Sequence, residues 1–325
     1  MNSASTLTDT LATPAAHAAD AHRRRRGYLL GLLGVALFAL TIPMTRLASG
    51  STAAPQLSPW FVAFGRAAFA GALAGLYLLA TRAPRPNAPQ WRALAFTAAG
   101  VVLGFPLFMG LAVVRVDAVH ASVVTGILPL VTAALGAWLL GQPQRPLFWC
   151  FAAAGCVLVV AFAWWRGGSA LQAADGLLAL ALLLGAFGYV WGARLSTTMR
   201  PEHVISWVLV LALPLTVPAT LWTWPAVPVP PASWVGFAYV SLFSMWLGFF
   251  AWYRALALGG TVRISQVQLL QPFLSIVAAW PILGEAVDAA TCVFLLAVMG
   301  VVFASRRVAS SSPPSPAPTR GKTHP

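Results

Sequence analysis

The chain has 325 residues, of which 59% are hydrophobic and only 8% charged, with a formal net charge of +13. A soluble domain carries about 25% charged residues, so this composition excludes a water-facing globular surface and points to lipid as the solvent. Backbone groups in lipid must be satisfied internally, by helices or a closed barrel. Barrel strands alternate apolar and polar residues, which the long continuous apolar runs here do not, so an all-α polytopic membrane protein is expected.

Residues 1–26 are small and polar and end in Arg23 to Arg26; they are expected to form a disordered basic tail. The arginine run followed by "GYLLGLLGVALFAL" imitates a secretory leader. The apolar character continues through Met44 and similar runs follow, so a retained first helix is expected. A spanning helix needs about 20 mostly apolar residues. Ten such runs follow in chain order, at 28–48, 57–80, 91–113, 118–140, 147–165, 175–196, 203–224, 233–258, 262–284 and 288–305. The breaks between them, such as "TRAPRPNAPQ", "GQPQRP" and "WPAVPVPPAS", are rich in Pro, Gly and Arg, which punctuate helices. Residues 308–325 are Ser/Pro-rich and expected to be disordered.

The positive charge follows membrane topology rather than a nucleic-acid surface. With the N-terminus inside, 16 Lys or Arg residues fall on cytoplasmic segments, and only Arg46, Arg115 and Arg166 fall on outer ones. This is the positive-inside bias, and it places both termini in the cytoplasm of an inner-membrane protein. Cys150, Cys156 and Cys292 all lie in apolar runs without metal-ligand spacing, and are read as packing residues.

A shift of 143 residues brings "VRISQVQLLQPFLSIVAAWPILGE" (Val262 to Glu285) onto "VHASVVTGILPLVTAALGAWLLGQ" (Val119 to Gln142). Six of 24 positions are identical, among them Pro129 with Pro272 and Gly141 with Gly284; Thr125 pairs with Gln268. The ninth run is therefore read as a copy of the fourth, and the chain as five helices repeated. An odd number of spans per copy inverts the second copy, an arrangement common in transporters that bind substrate near the midplane.

At these residues the chain resembles a known family. "WYRALALGGTVRISQVQLLQPFLSIVAAWPILGE" (Trp252 to Glu285) is similar to the signature of the EamA-type branch of the drug/metabolite transporter superfamily, and "SPWFVAFGRAAFAGAL" (58–73) resembles its second helix. The first copy departs from the pattern by ending Gly141-Gln142 instead of Gly-Glu, and Pro281 is a further departure. The resemblance implies ten transmembrane helices in two inverted five-helix repeats, 27–166 and 174–307, and a secondary transporter exporting small metabolites or amino acids.

Candidate binding residues follow from polar chemistry inside the apolar runs. Ser265, Gln268, Gln271 and Ser275 fall within about a 120° arc at helical spacing. Buried unpaired amides are costly, so the arc faces either a wet cavity or partners on another helix. Pro129 and Pro272 each remove a backbone donor mid-helix, as a bend lining the pathway or as a packed kink. Arg66 lies near the midplane, roughly 14 Å into its helix at 1.5 Å per residue, and an intramembrane Arg is a functional candidate. Asp117, Asp175, Glu202, Glu285 and Asp288 are all near helix ends. Thr125, opposite Gln268 in the repeat, and Tyr189, in an aromatic group with Trp191, complete the set. A buried cation without a protein acid favours zwitterionic or anionic small molecules.

The competing readings are a non-transporting receptor or scaffold and a membrane lipid-modifying enzyme, which needs acids or histidines clustered at one interface. No nucleotide loop, catalytic carboxylate pair or zinc spacing occurs, so no catalytic residue, cofactor or metal is expected. The expected partners are the substrate and the lipid bilayer, with the protein a monomer or a homodimer.

Overall fold

A computed structural model describes residues 14–139, 144–166, 171–259 and 265–310. All regular structure among them is helical, apart from an isolated bridge between Gly50 and Pro55. Eight helices are long and apolar enough to cross a membrane: α1 (Arg25–Ser49), α2 (Pro59–Ala80), α3 (Ala88–Val113), α4 (Ala118–Leu139), α5 (Pro146–Arg166), α6 (Ala173–Leu195), α7 (Pro201–Trp222) and α8 (Pro231–Ala255). Two shorter apolar helices follow, α9 (Val267–Leu283) and α10 (Ala289–Ser305).

Proline opens α2, α5, α7 and α8, where its fixed φ suits the first turn and its missing N–H costs nothing. Asn87 and Gln90 form a reciprocal capping box at the start of α3, at 3.0 and 2.9 Å.

Two expectations are revised. Helix already begins at Pro14, inside the segment expected to be a disordered tail. Its Ala-rich sequence has high helix propensity and extends the membrane helix outward. The run expected as one continuous helix over 262–284 is a 3-10 stretch, Ser265–Leu270, leading into an α-helix, Gln271–Leu283. Pro272 has no N–H to carry an α-helix on from Gln268, so a new α-helix starts with Pro272 in its first turn, where no internal donor is needed. The turn at Gly141-Gln142 lies outside the described residues.

Helix irregularities recur at a constant spacing. π-helical segments interrupt α3 at Ala98–Gly104 and α8 at Val240–Leu247, with starts 142 and ends 143 positions apart. Helices α2 and α7 each have 22 residues and begin 142 positions apart. In α4 the helix stops at Thr125 and resumes at Leu128, one residue before Pro129.

Packing follows the same pattern. Helix α2 packs on α7, α5 on α10 and α4 on α9, while the α1–α8 pair mirrors the α6–α3 pair. One apolar cluster is built mainly from buried residues of α4, α5, α9 and α10 and another mainly from those of α2, α7 and α8, with α1, α3, α6 and α9 contributing to both. Helices α3 and α6 approach closely through glycine: a Cβ at Gly100 would lie 2.4 Å from the Leu184 carbonyl and 2.6 Å from Gly188. Such approach strengthens packing where no hydrophobic force acts between helices in lipid.

Helix ends gather into two groups. One end joins Asp117, Asp175, Glu285 and Asp288 with Arg166 and His120 through the contacts below. The opposite end joins the close of α2, the start of α3, the close of α6 and the start of α7, through Tyr77 against His203 and Gln90 against Thr198.

Candidate functional site

Helices α4 and α9 touch about one turn from where their regular geometry fails. Ser122 and Ser275 share a hydrogen bond of 2.8 Å between their hydroxyls, both buried. Below this contact, Pro129 deprives the Thr125 carbonyl, and Pro272 the Gln268 carbonyl, of an i+4 backbone donor. Both carbonyls belong to residues that line a central cavity of about 810 Å³, counting space open to the outside.

The cavity assembles eight of the nine residues singled out from the sequence: Arg66, Thr125, Pro129, Tyr189, Gln268, Gln271, Pro272 and Ser275. The side chain of Ser265 lies outside the described residues. The walls come from α1, α2, α3, α4, α6, α8 and α9, so both apolar clusters contribute. Both π-helical segments reach it as well, through Val101 in α3 and Ser244 and Met245 in α8. π-Bulges commonly occur at functional sites because they re-aim side chains.

Arg66 is 4% exposed. Its Nη2 donates to Ser244 Oγ at 2.9 Å, and Ser244 Oγ shares a 2.8 Å hydrogen bond with Thr41 Oγ1. Its Nε is buried without a hydrogen-bond partner, and no ion pair reaches it among the described residues. Tyr189 lines the same cavity. Thr125 Oγ1 donates to the Ala121 carbonyl at 2.8 Å, which leaves its lone pairs to accept. The site thus combines one uncompensated cation, two amides and several hydroxyls with aromatic walls from Phe38, Phe105 and Phe249.

Reasoning from the sequence missed Ser244, the hydroxyl that holds Arg66, and Thr41, which is bonded to Ser244 in turn. Isolated hydroxyls inside apolar runs were the available signal. The π-segment shifts the azimuth of α8, however, so regular helical spacing could not aim Ser244 at the cavity.

The acids are engaged elsewhere. Glu285 accepts from the backbone N–H groups of Ala118 and Val119 at 3.0 and 2.9 Å, capping α4. His120 Nε2 meets Asp175 Oδ1 at 2.8 Å. Arg166 bridges Asp288 at 3.0 Å and Asp117 at 3.5 Å. The Thr291 backbone N–H holds the Asp288 carboxyl below its usual range. Glu202 pairs with Arg254 at 3.5 Å.

The model of the EamA-like transporter family matches twice, over residues 25–164 and 172–306. The uncharacterized transporter YdeK of Bacillus subtilis (strain 168) is 41% identical over 292 residues, covering 89% of this chain and 99% of that protein. A solved structure described as a crystal structure of a protein is similar at a TM-score of 0.61 and 17% identity, covering 88% of this chain and 98% of the other. That likeness speaks to the fold alone.

Proposed function

The chain belongs to the EamA-like transporter family, and from that premise we propose that it is a secondary transporter exporting a small zwitterionic or anionic metabolite, such as an amino acid, by alternating access. The observation that carries this reading is Arg66, buried at the cavity wall with a free Nε and no carboxylate partner among the described residues. A cation inside a membrane span is costly unless paired. A substrate carboxylate supplies the missing charge, and the guanidinium fork suits it in bidentate geometry. Gln268 and Gln271 offer both donors and acceptors to the remaining polar groups of such a substrate.

In this reading all ten helices span, as two inverted five-helix repeats. The double match of the family model, the recurring helix bounds and the paired π-segments support it. The substrate then sits between the copies, beside the interrupted helices α4 and α9, and one chain suffices to build the site. The arginine distribution supports cytoplasmic termini.

The test is a thermal-shift screen of the purified protein against amino acids, other carboxylates and lipophilic cations, followed by counterflow in proteoliposomes. Carboxylate-bearing hits that also drive counterflow are expected. Hits confined to lipophilic cations overturn the substrate class, and binding without flux overturns transport.

A further inference from the structure

The opposite end of the molecule holds a second polar pocket, which the transport site does not use. It is formed where α2 ends, α3 begins, α6 ends and α7 begins, and it has about 970 Å³ of space, counting the part open to the outside. Arg82, Arg85 and Arg200 line it together with His203, Gln90 and Thr198. None of these arginines forms an ion pair among the described residues. The nearest acid in sequence, Glu202, is held by Arg254 at 3.5 Å. Three cations therefore face one pocket without an anion.

Arg82 carries a further sign. Its φ of 47° is the only positive value for a non-glycine residue among those described. The left-handed region at a helix end is normally given to glycine, because a Cβ is strained there. A residue kept in strain points to a role for its side chain. The level of the pocket is marked by Tyr77 against His203 and Trp91 against Trp207, with ring centroids 6.2 and 5.5 Å apart. Tyr and Trp concentrate at the headgroup level of a bilayer. Just above, Leu76 and Leu79 on α2 are 64% and 77% exposed, a surface suited to acyl chains.

We propose that Arg82, Arg85 and Arg200 form a phosphate-group site that holds the head group of an anionic phospholipid. Phosphate is a strong partner for guanidinium groups, three exposed ones line this pocket, and basic pockets between membrane helices take anionic head groups in this way.

The test uses the full chain in detergent, titrated with dioleoylphosphatidylglycerol, dioleoylphosphatidylcholine or soluble glycerol phosphate, with bound lipid counted by native mass spectrometry and unfolding followed thermally. Saturable binding of phosphatidylglycerol over phosphatidylcholine is expected, weakening about fivefold for each arginine changed to glutamine. Arg92→Gln, an exposed arginine that does not line the pocket, is expected to leave it unchanged. Arg82→Gly relieves the left-handed strain, so it is expected to fold at least as well as the parent and still bind the lipid more weakly. Equal binding of both lipids, or an undiminished response in folded Arg82→Gly and Arg200→Gln, overturns the site. Glycerol phosphate matching phosphatidylglycerol upholds the phosphate chemistry but overturns the lipid as its source.

Discussion

The carboxylate of Glu285 lies 2.9 Å from the backbone nitrogen of Val119, so the turn that closes α9 caps the start of α4. The first N–H groups of a helix lack internal partners and carry partial positive charge, and a carboxylate satisfies both needs. Gly284 delivers it: its φ is 71°, and its N–H donates to the Trp280 carbonyl at 2.8 Å. Glu285→Ala is expected to cost about 1 kcal/mol as a lost cap. Gly284→Val is expected to cost about 1–2 kcal/mol through left-handed strain, since no atom lies within 4 Å of an added Cβ. Thermal unfolding and folded yield are expected to fall in both variants, with substrate preference unchanged. Normal yield with altered selectivity contradicts this capping role.

Arg66→Ala is expected to abolish transport while expression stays near the parent level, because removing a buried unpaired cation relieves a desolvation cost. Arg66→Lys retains the charge but not the planar fork, and is expected to transport weakly, with the substrate KM raised. Proteoliposome flux measured beside detergent-solubilised yield checks both. Parent-like flux in Arg66→Ala removes Arg66 from the substrate site.

Gln268→Leu is expected to lower transport by about fivefold or more, on the order of the 1–3 kcal/mol lost when a buried polar group goes unpaired. Cysteines introduced as Gln268→Cys and Gln271→Cys should react with a small water-soluble thiol reagent, and substrate should slow the reaction. Cys150, Cys156 and Cys292 are all exposed and must first be replaced by serine. Inert thiols at both positions in every condition mean that this arc packs against protein.

Reporter fusions at the two ends of the chain test the topology. Cytoplasmic activity from both is expected from the arginine distribution. A periplasmic signal from either end rejects this topology, and a periplasmic signal from one end alone means an odd number of spans, which rejects the inverted repeat.

Gly188→Val tests the contact between α3 and α6. A Cβ there meets the Val101 side chain and backbone nitrogen at 2.8 Å, and backbone cannot yield as a side chain does. A loss of about 1–3 kcal/mol is expected for this overpacking, read as a lower unfolding midpoint. An unchanged midpoint shows that the two helices separate freely.

The sequence alone determined that this is a helical membrane protein, because lipid leaves few ways to satisfy backbone groups and the apolar runs are long and uninterrupted. It also carries the match of Pro129 with Pro272 at 143 positions, and it singled out Arg66, Gln268 and Gln271, too polar to face lipid, which line the cavity. Only the tertiary structure decided what those residues meet. Ser244 holds Arg66 across 178 positions and is itself bonded to Thr41 across 203, separations that no helical period connects, and a π-segment turns Ser244 toward the arginine. The same limit hid Glu285, whose carboxylate reaches a helix start 166 residues away. Composition and periodicity report the solvent that each residue can tolerate, whereas the choice among tolerated partners depends on how whole helices pack.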